Sequence, residues 1–213
     1  MPPRTTGRGR GRSDAALQVQ FDDLLVLFRF MLGEIGLKEL KTLGRTLNST
    51  EYEGLNEDGH TIFSDHIALI PSLKITKDRL LEYDGRICSY TKQIGEGRGG
   101  VVWKYFQWVS LLFTEIYLDR YFSDKEALCS ELNEWVQEQR DRSSGAMWLG
   151  DYTPQRLNKL AYMCATGSGK TLIMHINILQ FLYYLRRAQR SGSRMKINKV
   201  LLVTPNEGMS AQH

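Results

Sequence analysis

No stretch of this sequence is apolar for long enough to cross a membrane. The best candidate, residues 171–185, is interrupted by His175, Asn177 and Gln180, whereas a spanning helix needs about 18 or more apolar residues in succession. Residues 1–13, MPPRTTGRGRGRS, also contain no apolar run of the kind that an export signal requires. We therefore expect a protein that has no membrane partner.

Cysteine is scarce as well. The chain has three cysteines, Cys88, Cys129 and Cys164, which are odd in number and widely spaced. No C-x-x-C pair is present that would indicate a zinc site or a disulfide framework. This use of cysteine is typical of a reducing compartment, so we predict a cytoplasmic protein.

Outside a short N-terminal arm, the sequence carries no net charge. The formal net charge is +4. Four arginines within residues 1–13 equal that whole excess: Arg4, Arg8, Arg10 and Arg12. We predict that residues 1–13 are a disordered basic arm. Its role is either that of a flexible tail or that of extra affinity for nucleic-acid phosphates.

Apolar residues at helical spacing dominate residues 14–145. One stripe runs over residues 17–35, and an aromatic stripe that includes Trp108 and Ile116 runs over residues 101–122. Such stripes are typical of helices that bury one face in a core. We predict a mainly α-helical N-terminal domain over residues 14–145, with the aromatic helix at its centre.

Turn signals interrupt this helical pattern in two places. Residues 48–100 contain NEDG, Asp84-Gly85 and GEGRGG, which favour turns. Ser123 and Glu126 match a capping box at the start of a further helix. The segment SSGAMWLGDYTP then indicates a linker, so we predict that a second domain occupies residues 146–213.

The sequence LAYMCATGSGKT, over residues 160–171, carries the strongest chemical signal. A short apolar run precedes a glycine-rich turn, and an apolar segment of helical length follows. This order predicts a strand, a loop and a helix. Glycine allows several backbone N–H groups to converge on a phosphate. The predicted phosphate loop comprises Cys164, Ala165, Thr166, Gly167, Ser168, Gly169, Lys170 and Thr171.

Two residues of this loop are candidates for catalytic roles. Lys170 can reach the β- and γ-phosphates, and the hydroxyl of Thr171 can ligate Mg²⁺. A helix that begins here directs the positive end of its dipole at the anion. We therefore predict that ATP and Mg²⁺ are the cofactors.

A second apolar run, residues 199–204, leads into the segment PNEGMSAQH. It predicts a parallel strand that ends in a functional loop. Together with residues 160–185 it completes a βαβ unit. The predicted fold class is therefore α/β overall, with a mainly helical N-terminal domain before an incomplete P-loop lobe.

These segments resemble motifs I and Ia of superfamily 2 DEAD/DEAH-box-like helicases. The strict P-loop pattern has Gly where this chain has Cys164, and ATGSGKT with TPNEG is similar to the helicase subunit of type III restriction enzymes. The resemblance covers roughly residues 152–213 and implies a RecA-like domain that binds ATP and DNA. It implies that Gln155 contacts adenine. It also implies a nucleic-acid path along Thr204, Pro205, Asn206 and Glu207.

Hydrolysis by such a motor needs an acid on a later strand and usually an arginine from a second lobe. Neither is identifiable after Thr171. We therefore expect an N-terminal fragment that binds ATP without hydrolysing it. Its expected partners are DNA, the rest of the motor in cis, and restriction or modification subunits of an anti-phage system.

The sequence is also compatible with other functions. A P-loop kinase or another non-helicase NTPase would explain GSGKT equally well, and residues 15–145 would also suit a non-enzymatic assembly module. The basic run over residues 186–199 is either a solvated helix end or a nucleic-acid contact. The run GEGRGG, with Asp119 downstream, matches a dinucleotide fingerprint but has no strong strand before it.

Overall fold

The computed structural model describes residues 21–97, 99–143 and 147–203. Six α-helices form within these ranges: α1 (Val26–Glu34), α2 (Leu40–Leu47), α3 (Ile62–Ala68), α4 (Lys77–Gly95), α5 (Tyr105–Arg142) and α6 (Lys170–Arg190). Three short 3-10 helices accompany them: Phe21–Leu24, Thr50–Tyr52 and Arg156–Asn158. None of the described helices has both the length and the apolar character needed to span a bilayer.

The predicted α/β fold is wrong, because the described residues are helical and contain no β-strand. The β-type backbone pairing within the described residues is limited to one isolated antiparallel bridge between Leu55 and Thr61. The two predicted strands, residues 160–164 and 199–203, have no ladder partner in the described part of the chain. A strand exists through pairing with a neighbour, and an apolar composition cannot supply that neighbour. The predicted βαβ unit of a RecA-like lobe is therefore absent from the described residues.

Helix α5 is the centre of the core, as the aromatic stripe predicted. Trp108, Leu112 and Ile116 are each fully buried on it. Helices α1, α2, α4 and α6 all pack against α5. The helix begins at Tyr105, four residues later than the start of the predicted stripe. The existence and central position of this helix are confirmed.

A break divides α5 near its middle. Asp124 has a non-helical backbone, with φ −157° and ψ 88°. Its carboxylate accepts a hydrogen bond from the N–H of Ala127 at 2.8 Å, which is the geometry of a helix N-cap. The capping signal predicted at Ser123 with Glu126 is therefore one residue out of place. The second half of α5 starts at Asp124.

Glu115 of α5 joins three helices inside the core. The side chain is fully buried, and its Oε2 lies 2.9 Å from Nε of Arg86 on α4 and 2.7 Å from the hydroxyl of Tyr184 on α6. Arg86 also donates to the Tyr184 hydroxyl at 2.9 Å. Burial outweighs the attraction of Arg86 and raises the pKa of Glu115. This triad fixes α6 against α4 and α5.

Asp119 makes a second junction one helical turn further along α5. It accepts from the hydroxyl of Tyr83 at 2.6 Å and pairs with Arg79 at 2.6 Å, both on α4. Arg187 of α6 pairs with its other oxygen. Burial opposes ionisation, but the Tyr83 hydrogen bond and the two guanidinium groups together lower the pKa of Asp119. The ion pairs and the apolar contacts thus hold α6 in one position.

Asp84 anchors the turn before α3 to α4 and α5. Its fully buried carboxylate accepts from the N–H and the hydroxyl of Thr61 at 2.8 and 2.5 Å. The indole of Trp108 donates to it at 2.8 Å, and Nδ1 of His60 lies 3.0 Å away. Each carboxylate oxygen therefore has at least two partners, which is how a buried charge becomes tolerable.

Helix α6 shares the core of the N-terminal helices. Ile173, Ile176 and Tyr184 belong to the same buried cluster as Trp108 and Leu112. The predicted boundary at residue 146 lies outside the described residues and stays a prediction, as does the basic arm.

Candidate phosphate-binding loop

The chain that leads into the glycine-rich loop is attached to α5 at two points. The hydroxyl of Tyr117 donates to the carbonyl of Leu157, which is buried. Further along, the hydroxyls of Thr114 and Tyr162 lie 2.7 Å apart. The loop therefore starts from a fixed position on the helical core, although residues 160–164 form no strand.

Two glycines shape the loop itself. Gly167 has φ +76° and Gly169 has φ +81°, values that L side chains rarely adopt. Between them, the N–H of Ser168 donates to the carbonyl of Ala165 at 3.2 Å and closes a tight turn. Gly169 is the N-cap of α6, and Lys170 is the first helical residue. The predicted order of a glycine turn followed directly by a long helix is confirmed.

The loop presents backbone donors that the fold does not use. The N–H groups of Gly167, Gly169, Lys170 and Thr171 have no hydrogen-bond acceptor among the described residues. Helix N-termini leave their first N–H groups without partners inside the helix, and here the adjoining left-handed turn adds further groups. Consecutive free N–H groups at the positive end of a helix dipole favour an anion.

The ammonium of Lys170 lies over the same turn. Its Nζ is 3.0 Å from the carbonyl oxygen of Ala165 and 3.3 Å from that of Cys164. The lysine is exposed, and its acceptors are neutral carbonyls. A phosphate oxygen is a stronger acceptor for an ammonium group than a carbonyl is. Lys170 is therefore placed to exchange these contacts for an anion at the loop.

Thr171 follows on the first turn of α6 and is also exposed. Its hydroxyl has no hydrogen-bond partner in the part of the chain that the structure describes. A hydroxyl next to a bound triphosphate can complete the coordination of Mg²⁺. Groups of three or more His, Cys, Asp or Glu residues that could hold a metal are absent from the described residues, so the fit of Mg²⁺ here depends on Thr171 and on phosphate oxygens.

Gln107, on the first turn of α5, contacts the loop from the side of the core. Its Nε2 donates to the carbonyl of Ser168 at 2.8 Å. The predicted phosphate loop did not include this residue, since 61 positions separate Gln107 from Ser168. Gln107 lies at the start of a helix that follows a loop-rich segment, and nothing in this local sequence indicates a contact with Ser168.

The structure does not bring Gln155 into the loop. It is an exposed residue directly before the 3-10 helix Arg156–Asn158, and no hydrogen bond joins it to residues 164–171. The predicted nucleic-acid residues Thr204, Pro205, Asn206 and Glu207 lie outside the described residues. The predicted contact of Gln155 with adenine and the predicted contacts of these four residues with nucleic acid therefore stay predictions.

Two further sequence patterns have structural explanations. Arg187 belongs to the basic run, but it pairs with Asp119 and donates to the hydroxyl of Ser123 at 3.0 Å. The exposed members of the run are Arg186, Arg190, Arg194, Lys196 and Lys199. Asp119 is occupied by three partners within the core, so it cannot serve as the ribose-binding acid of a dinucleotide fold.

Comparison with known proteins adds no relative: no family model, no curated protein and no solved structure matches the chain. Any assignment of chemistry therefore depends on the loop. Within the described residues, no hydrogen bond or ion pair joins a carboxylate to residues 164–171. The geometry suits the binding of a polyphosphate, whereas hydrolysis would need an acid from elsewhere.

Proposed function

We propose that residues 164–171 bind the triphosphate of ATP together with Mg²⁺. One observation carries the proposal: two left-handed glycines lead directly into the N-terminus of α6, with four unused N–H groups and the Lys170 ammonium around the same turn. Positive charge, free donors and a helix dipole at one place are what a polyphosphate requires.

The residues of the loop would bind different parts of the nucleotide according to their chemistry. The unused N–H groups of Gly167, Gly169, Lys170 and Thr171 would donate to phosphate oxygens, and Lys170 would neutralise the β- and γ-phosphates as a point charge. The hydroxyl of Thr171 would ligate Mg²⁺, and the charge of the metal would offset the remaining phosphate charge. Lys170 and Thr171 are thus the residues that would contact the reacting end of the nucleotide.

The wider function that we propose is that of the ATP-binding and DNA-binding part of an ATP-dependent DNA helicase or translocase; the motor as a whole would be an ATP hydrolase, and this chain is expected only to bind ATP. Its support is the resemblance of ATGSGKT and TPNEG to superfamily 2 motifs, with Thr204, Pro205, Asn206 and Glu207 next to DNA and Gln155 next to adenine. A restriction or anti-phage system is the setting that this resemblance suggests. Three free cysteines support a cytoplasmic location.

Direct titration tests the nucleotide site. ATP with Mg²⁺ is titrated into the full 213-residue chain, and the heat of binding gives Kd for the unaltered protein and for Lys170→Ala. Hydrogen bonds to charged groups contribute about 1.5 to 3 kcal/mol. Because about 1.4 kcal/mol corresponds to a factor of ten in affinity, Lys170→Ala should raise the Kd for ATP by at least about tenfold.

Lys77→Ala is the matched control. Lys77 is the exposed first residue of α4, as Lys170 is of α6, so both variants lose one positive charge at a helix N-terminus. Lys77→Ala should bind ATP like the unaltered chain. Equal affinity of all three proteins, or no binding by any of them, would refute the phosphate loop.

Addition of duplex DNA separates the helicase proposal from a P-loop kinase or another NTPase. If the affinity of the chain for a fluorescent duplex changes when ATP is added, the result supports a motor function. Tight ATP binding with no DNA response in either direction favours the other NTPases.

A further inference from the structure

Gln107 is held at both ends of its side-chain amide. Nε2 donates to the carbonyl of Ser168 at 2.8 Å, and Oε1 accepts from the N–H of Lys104 at 2.8 Å. The amide cannot be reversed, because reversal would face donor against donor and acceptor against acceptor. The orientation of this side chain is therefore dictated by its two partners.

Gly169 allows the close approach of Gln107. A Cβ at Gly169 would lie 2.5 Å from Nε2 of Gln107, which is too close for any real contact. At Gly167, by contrast, a Cβ would meet nothing within 4 Å. The second glycine of the loop therefore has a packing role in addition to its backbone conformation.

The contact with Ser168 determines where the next N–H group points. The carbonyl of Ser168 and the N–H of Gly169 belong to the same peptide plane, and in a trans peptide they point in opposite directions. No cis peptide bond occurs in the described residues. Because Gln107 holds the carbonyl on the side of the core, the Gly169 N–H faces away from the core.

From this geometry we propose that Gln107 is a positioning residue for the phosphate site, and this inference rests on the proposed ATP binding. It fixes the Ser168–Gly169 peptide so that its N–H, and not its carbonyl, faces the polyphosphate. Without this contact the peptide is free to flip, and a carbonyl oxygen would then oppose the phosphate charge. The binding-competent fraction of the protein falls, and the apparent affinity falls with it.

Two substitutions separate the loop contact from the contact with Lys104. Gln107→Met keeps the length of the side chain but removes both hydrogen bonds without adding charge. Gln107→Glu keeps the acceptor for the Lys104 N–H and removes the donor to Ser168. It also adds a negative charge near the phosphate site, and 0.5 M KCl screens the repulsion between that charge and ATP. Gln137→Met is the control, since Gln137 lies on the exposed surface of α5 and donates to Asp141 instead.

The experiment measures Kd for ATP with Mg²⁺ on the full chain, in 0.1 M and 0.5 M KCl, together with the thermal midpoint. One neutral hydrogen bond is worth about 1 kcal/mol, so Gln107→Met and Gln107→Glu should each bind about fivefold more weakly in 0.5 M KCl. Gln107→Glu should keep its thermal midpoint, because its helix cap remains. Gln137→Met should match the unaltered chain in affinity.

Unchanged affinity in Gln107→Met would overturn the inference while leaving the ATP site intact. Weaker binding by Gln107→Met with normal binding by Gln107→Glu would also overturn it, because the effect would then come from the helix cap. If the unaltered chain and Lys170→Ala both fail to bind ATP, the proposed function itself fails and the inference with it.

Discussion

Polar groups differ in their hydrogen bonding between two regions: the interface of α4, α5 and α6, and the glycine-rich loop. At the interface, Oε2 of Glu115 and both carboxylate oxygens of Asp119 have partners on two other helices, although Oε1 of Glu115 has none among the described residues. In the loop, exposed N–H groups and Lys170 have weak partners or none. Satisfied polar groups stabilise one structure, whereas unsatisfied ones are available to a ligand. The same helix, α6, serves both regions.

Helix α6 also has two different faces. Ile173, Ile176 and Tyr184 are buried against α4 and α5. On the other side an apolar groove is lined by Met174, Asn177, Ile178, Phe181, Leu182, Ile197 and Val200. The groove and the exposed residues 200–203 show that this face of α6 is less completely packed than the face that meets α4 and α5. Substitutions in the two regions should therefore differ in which property they change.

Asp84→Ala should give the largest effect, and it should act on stability. It would leave the Thr61 N–H and hydroxyl and the Trp108 indole buried without an acceptor. Loss of one partner from a buried charged network costs about 3 to 5 kcal/mol. Urea unfolding should show this loss in the free energy of unfolding. Glu57→Ala, at an exposed acid, is the control, and a similar change in both variants would contradict the role of Asp84.

Asp119→Asn should cost roughly 2 to 3 kcal/mol at neutral pH, since it removes the charge that faces Arg79, Tyr83 and Arg187. The folded state lowers the pKa of Asp119 below its usual 3.8. The unfolded chain therefore binds the proton more readily, and the stabilisation is complete above the ordinary pKa and is lost as pH falls through the lowered value.

The measurement is urea unfolding of both proteins at several pH values. The difference in free energy between the unaltered chain and Asp119→Asn should be constant at neutral pH and should shrink below about pH 5. Glu115 shifts in the opposite direction, because burial raises its pKa, and comparing the two proteins removes its contribution. A difference that grows as the solution is acidified would contradict the assignment.

Gly169→Ala should have a smaller effect than either core substitution. An Ala in a left-handed conformation costs about 1 kcal/mol or more, and here its Cβ would also displace Gln107. Gly167→Ala has the same backbone problem without the contact. We expect a loss of roughly 2 kcal/mol for Gly169→Ala and roughly 1 kcal/mol for Gly167→Ala. Equal losses in urea unfolding would show that the Gln107 contact adds nothing.

Features encoded locally were predictable from the sequence. Helix α5 followed from apolar residues repeated at the helical period, and α6 followed from a glycine turn before a long apolar segment. The sequence did not predict helix α4, because Asp84 and Gly85 in its middle are typical of a turn. The structure explains Asp84, which is bonded to Thr61 and Trp108. It gives no packing reason for Gly85, because a Cβ there would make only an ordinary contact, 3.7 Å from the ring of His60.

Features that depend on distant residues were not predictable. The apolar run over residues 160–164 favoured a strand, but strand formation depends on a partner that local sequence does not specify. The contact between Gln107 and Ser168 joins residues 61 positions apart. The loop residues were thus predicted by their chemistry, while the residue that orients their backbone needed the structure.

Lys170→Ala should have the smallest effect on stability, and this is the sharpest contrast with Asp84→Ala. The ammonium is exposed and its two carbonyl partners remain accessible to water, so the free energy of unfolding should change by less than about 0.5 kcal/mol. The same variant should bind ATP at least about tenfold more weakly. A fall in stability of more than about 1 kcal/mol, which urea unfolding would resolve, would mean that Lys170 holds the loop together. Weak ATP binding would then no longer identify it as a phosphate ligand.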